Sequence, residues 1–111
     1  MFGCTSYNFI AGGTGSGNVN RAYTVSLLDG LKNANFQVND ELKNIYLKYI
    51  AEENERNKPK GDNPLVKFLP TPLPTEMALS ADQLSNWAAQ TDIALITLGR
   101  MSGEFVDRKV F

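Results

Sequence analysis

Ile93-Ala94-Leu95-Ile96-Thr97-Leu98-Gly99 runs directly into Arg100-Met101-Ser102-Gly103-Glu104-Phe105-Val106-Asp107-Arg108-Lys109. The first half is apolar on both alternating sets of positions, which predicts a strand buried on both faces and central in a parallel sheet. It stops at glycine and delivers a carboxylate, Glu104, within five residues. Ligands of open α/β sheets gather outside the carboxyl ends of the strands. The layout therefore marks an active-site edge, with Glu104 as its candidate reacting group.

Working outward, Ser80-Ala81-Asp82-Gln83 has the form of a capping box and opens a helix whose Leu84, Trp87 and Ala88 share one side. Before it, Pro64, Pro70, Pro72 and Pro74 forbid regular structure and predict an extended wrapping segment. Further upstream, Asn39-Asp40 is a good N-cap for a helix carrying Leu42, Ile45, Tyr46, Tyr49 and Ile50 on one face. That helix is expected to dissolve in the charged run from Glu52 to Lys60 and Gly61. Val25, Leu28 and Leu31 recur at helical spacing over residues 22–34, with Asn33-Ala34-Asn35 as the stop, and Phe36-Gln37-Val38 reads as a short strand. Met1-Phe2-Gly3 looks like the last turn of a buried strand, as though the chain began inside a larger fold. Alternating helices and buried strands argue α/β. The expected architecture is a partial three-layer α/β/α sandwich with a mostly parallel sheet, incomplete in this chain. Such open edges and uncovered apolar faces predict a homo-oligomer for the chain alone.

Composition narrows the chemistry. The 111 residues suffice for one small domain, and 11 basic against 12 acidic residues leave a net charge of −1 with no basic block. Neither nucleic acid nor an anionic membrane is favoured as a partner, and no run of about 18 apolar residues offers a membrane span. Cys4 is the single cysteine and histidine is absent. A zinc-ligand set, a Ser-His-Asp triad and a Cys-His pair are thereby excluded, so acid–base work falls to carboxylates, Lys, Tyr or Cys. No cofactor or metal is expected. The first residues lack the basic-then-apolar pattern of a signal peptide, and one thiol suits a cytoplasmic or an exported protein equally.

The run Ala11-Gly12-Gly13-Thr14-Gly15-Ser16-Gly17 is too permissive in backbone for a helix or long strand and reads as a loop. A dinucleotide fingerprint after a strand over residues 7–11 is one reading, with Asp40 just beyond the next strand. The spacing opposes it, since the third glycine would fall at Asn18 and the next helix starts too late to receive a pyrophosphate. A phosphate loop fails because no lysine follows. A flexible connection without ligand remains, as does a loop presenting backbone and the Ser16 hydroxyl to a substrate. Singly, Glu104 also reads as an exposed loop glutamate, Asp107 with Arg108 as a surface ion pair, and Trp87, Tyr46 and Tyr49 as core.

Together these pieces resemble the second domain of family 3 glycoside hydrolases, the β-glucosidase and β-xylosidase family, over almost the whole chain. The strand ending Phe2-Gly3, the loop Gly15-Ser16-Gly17-Asn18-Val19, the stretch from Tyr23 to Ala34 and the Leu98-to-Glu104 junction come in the family's order. The last, continuing to Asp107-Arg108-Lys109, is the most specific. The resemblance implies that residues 1–111 form part of an α/β sandwich domain packed beside a (β/α)8 barrel that carries the nucleophilic aspartate. It implies Glu104 as general acid/base, and Ser16 with Gly15 and Gly17 as contacts to a β-glycoside or oligosaccharide. Arg100, Ser102, Asp107 and Arg108 would support the loop. Phe105-Val106 stands where the family commonly has Gly and an aromatic, and Asn18 replaces a frequent Asp. A non-catalytic nucleotide- or carbohydrate-binding module using the glycine loop is the alternative.

Overall fold

The computed structural model describes residues 1–58, 60 and 70–103. Among these residues three α-helices, α1 (Leu27–Asn33), α2 (Asp40–Asn57) and α3 (Ala81–Ala88), follow two short 3₁₀ turns, Cys4–Ser6 and Gly15–Gly17.

Helix boundaries are set by local side-chain chemistry. Ser26 Oγ accepts from Asp29 N at 3.1 Å while Asp29 Oδ2 accepts from Ser26 N at 3.3 Å, a reciprocal box that starts α1 at Leu27 rather than near residue 22. At the other end Asn35 takes φ 62°, Phe36 N donates to Leu31 O and Asn35 N to Lys32 O. This is a Schellman stop, with Asn in the left-handed role anticipated for it. Asn39 Oδ1 caps α2 by accepting from Leu42 N at 2.9 Å. Ser80 and Gln83 form the second reciprocal box, at 2.9 and 3.2 Å, opening α3.

The core lies on one stripe of α2, where Leu42, Tyr46 and Ile50 are buried and Ile45 and Tyr49 are half-buried against them. Cys4 and Trp87 complete the cluster, and the Phe2 ring lies 6.4 Å from the indole. Of the three residues expected to face inward on α3, Trp87 alone does so; Leu84 and Ala88 are exposed, so this helix meets the core at one point.

Helix α2 does not dissolve at Glu52. It continues to Asn57 because Glu53, only 5% exposed, has partners there: its Oε2 accepts from Thr75 N at 3.2 Å and its Oε1 pairs with Arg56 Nη1 at 2.7 Å. A buried carboxylate without such partners would be costly. The partner segment, Thr75 and Glu76, directly follows the proline-rich stretch, of which residues 61–69 with Pro64 lie outside the described residues. Thr75 O accepts from Tyr49 Oη at 3.0 Å, and Glu76 Oε2 accepts from Cys4 N at 2.9 Å. Backbone groups that no ladder satisfies are thus taken up by side chains.

Burial, and then the neighbouring charge of Glu76, push the Cys4 thiol up to about 11. We expect it to resist a disulfide reagent at neutral pH in the folded chain and to react stoichiometrically once denaturant is added, since the thiolate is the attacking form. Rapid labelling without denaturant would show that this corner opens.

In place of the expected sheet, the bridge whose two partners are both described is parallel, Phe2 with Ile96, made by Phe2 N to Leu95 O (2.7 Å) and Thr97 N to Phe2 O (3.0 Å). Among the described residues no strand longer than a bridge occurs. The reason lies at Gly3, whose φ of 97° turns the chain into the Cys4–Ser6 3₁₀ turn, and where a Cβ would strike the Thr97 carbonyl. Strands expected over residues 7–11 and 36–38 are irregular backbone. The apolar run 93–98 is not covered on both faces: Ile93, Ile96 and Leu98 are 65, 73 and 79% exposed. Of the buried strand expected to end at Phe2-Gly3, the single half-buried bridge residue Phe2 is what forms, and Ser6 Oγ and Thr5 Oγ1 tie the turn after it to Phe2 O (2.9 Å) and Thr97 Oγ1 (2.8 Å).

Candidate functional site

The glycine run closes as a 3₁₀ turn, with Gly17 N donating to Thr14 O and Asn18 N to Gly15 O, both at 3.0 Å. Gly15 has φ 57°, a left-handed conformation that costs glycine little and a β-substituted residue more. Thr14, just before it, is buried.

The segment that follows the 93–98 run comes close to Thr14. Gly103 has φ 151° and lies so close that a Cβ there would stand 2.5 Å from Thr14 Oγ1. The two segments singled out in the sequence, some 90 residues apart, therefore meet at the residue before Glu104. Glu104, Asp107 and Arg108 themselves lie outside the described residues. One step back, Gly99 admits the Thr5 methyl into the space a side chain would need, so the run after the bridge is held against the N-terminal turn.

Beside this junction is an open cleft of 510 Å³. One wall is the glycine loop, Gly12, Gly13, Thr14 and Gly15, with Asn18 and Arg21 beyond it. The proline-rich segment also lines it at Pro70, Thr71 and Leu73, as does Met101. Asn8, Phe9 and Ile10 supply the remaining lining. Size and make-up suit a small polar molecule with an apolar face: several amide and hydroxyl groups stand among Phe9, Leu73 and Met101.

Of the candidate site residues, Gly15 lines this cleft among the described residues, whereas Ser16 and Gly17 sit exposed on the adjoining turn and Arg100 and Ser102 flank Met101 without lining it. Trp87 is core, as the helical spacing suggested. Phe9, Arg21 and Leu73 were missed by sequence reasoning. An exposed aromatic just before a glycine run and an arginine just after it were the available signals for the first two; nothing local marks Leu73.

No family model matches the chain. Among characterised proteins it is 32% identical to β-glucosidase A of Butyrivibrio fibrisolvens over 112 residues, covering 99% of this chain and 12% of that protein. It is 29% identical to a β-glucosidase of Ruminococcus albus over 109 residues, covering 96% of this chain and 11% of that one. Among solved structures it superposes on β-glucosidase 3B of Thermotoga neapolitana, determined in complex with α-D-glucose, with a TM-score of 0.77 and 34% identity over 97% of this chain. Sequence and fold both lead to β-glucosidases. The chain belongs to the family 3 glycoside hydrolases. It spans only 11 to 14% of the length of these relatives.

Proposed function

We propose that this chain contributes the general acid/base loop and part of the sugar site of a retaining β-glycosidase that removes terminal non-reducing β-D-glycosyl units. The observation that carries the reading is the close approach of Gly103 to Thr14, which sets the residue preceding Glu104 against a glycine loop bordering an open cleft.

Retaining hydrolysis uses two carboxyl groups about 5–5.5 Å apart. One attacks the anomeric carbon; the other protonates the departing oxygen and later takes a proton from the incoming water. In this reading Glu104 is the second, and the nucleophilic aspartate belongs to a (β/α)8 barrel carried elsewhere in the protein. A carboxylic acid serves as proton donor near neutral pH when desolvation and a neighbouring negative charge hold its proton, and packing against the barrel supplies both. The Gly15-Ser16-Gly17 turn then presents backbone and hydroxyl groups to the sugar, while Arg100, Ser102, Asp107 and Arg108 hold the loop. The bridge between Phe2 and Ile96 is read as the start of a mostly parallel sheet in an α/β sandwich domain, its exposed 93–98 run taking further strands. The same open edge supports self-association of the chain when it is alone.

The test compares the full-length protein with this 111-residue chain on an aryl β-glucoside. Turnover is expected from the former and none above the uncatalysed rate from the latter, since half a carboxylate pair does not complete the reaction. Turnover by the chain alone, abolished by changing one of its own carboxylates, would refute the shared site, and an inactive full-length protein would refute the glycosidase reading.

A further inference from the structure

Arg21 is the one charged side chain among the described residues lining the cleft. Its guanidinium packs on Gly12, close enough that a Cβ built there would lie 2.6 Å from Cζ, so a side chain at position 12 would have to push it aside. Among the described residues the ion pairs are Lys43 with Asp40, Arg56 with Glu53 and Lys58 with Glu55; none engages Arg21, and no described carboxylate lines the cleft. A guanidinium stays charged at any working pH, and its fork of N–H donors matches a carboxylate or phosphate two bonds at a time. A neutral hexose has no group that compensates such a charge. Phe9, Leu73 and Met101 in the same lining offer apolar surface to the C–H face of a sugar ring.

We propose that Arg21 is a specificity-determining residue that binds an anionic substituent, a carboxylate or a phosphate, on the glycoside held in this cleft. The proposal rests on the glycosidase reading for the word glycoside, but not for the anion. Shape and apolar contact orient the ring, and the arginine selects for negative charge at one end of it.

The experiment measures kcat/KM of the full-length protein and its R21Q and R21K variants on aryl β-glucoside, aryl β-glucuronide and aryl 6-phospho-β-glucoside. In R21Q the ratio of anionic to neutral substrate is expected to fall about 10- to 100-fold, the scale of a lost charge-assisted hydrogen-bonded pair, with R21K between the two. A fall confined to the glucuronide assigns a carboxylate; one confined to the phosphoglucoside assigns a phosphate. An unchanged ratio overturns the proposal, as does a wild type that cleaves only the neutral glucoside. A shifted pH profile at constant ratio also overturns it, since Arg21 would then serve a catalytic carboxylate. Calorimetric titration with D-glucuronate and with inorganic phosphate reads the arginine without any hydrolysis. Binding that R21Q removes supports the proposal, and binding that is absent or indifferent to R21Q overturns it. Arginine-dependent anion binding without turnover on any substrate would sink the glycosidase reading while leaving this one standing.

Discussion

Glu104→Gln in the full-length protein is expected to lower kcat/KM for a glycoside with a poor leaving group by about 100- to 10,000-fold, the usual contribution of a positioned proton donor. The substitution preserves volume and nearly all hydrogen-bonding capacity, so substrate binding should survive it. An activated aryl leaving group needs little protonation, and the glycosyl-enzyme should still form from it. That intermediate then accumulates, because no base remains to activate water. Azide requires no such base and should restore turnover, releasing a β-glycosyl azide identifiable by NMR. Equal slowing of both substrate types without azide rescue would make Glu104 a binding or structural residue and move the acid/base elsewhere.

Tyr46→Ala is expected to destabilise the fold by about 3–5 kcal/mol, the cost of emptying a large aromatic site in a core. The ring is buried, stacked on Tyr7 with centroids 5.1 Å apart, and belongs to the cluster of Leu42, Ile50, Cys4 and Trp87. Its hydroxyl has a separate duty: Oη accepts from Gly3 N at 3.1 Å, at the turn that ends the bridged segment. Tyr46→Phe keeps the ring and leaves that buried N–H without its acceptor, at a cost of about 1–3 kcal/mol. Against total stabilities of about 5–15 kcal/mol, the Ala variant approaches unfolding while the Phe variant stays measurable. Urea denaturation followed by circular dichroism reads both. A Phe variant as stable as the parent would mean that the Gly3 amide finds another acceptor, and equal losses in the two would assign the whole effect to the hydroxyl.

Ser80 with Gln83 is legible as a capping box from its spacing, whereas the apolar periodicity of Val25, Leu28 and Leu31 points to a start of α1 near residue 22 and masks the box of Ser26 with Asp29. The buried stripe of α2 followed from the positions of Leu42, Tyr46 and Ile50, because a helix repeats over distances that lie within the sequence itself. Glu53 did not follow. Nothing near it in sequence tells that Thr75 arrives to donate to it, so a charged run looked like a frayed end.

The site divides in the same way. The family, the glycine loop, the apolar run to Gly99 and the candidate role of Glu104 were legible in residues and their order, since backbone permissiveness and motif spacing are local properties. That Thr14 meets Gly103, that Arg21 packs on Gly12 and that Pro70 to Leu73 walls the cleft depended on long-range closure, which periodicity does not encode. The sheet marks the sharpest boundary. Amino-acid choice made residues 93–98 apolar on both sides, but burial of a strand needs partners on both, and among the described residues the tertiary structure brings up Phe2 alone.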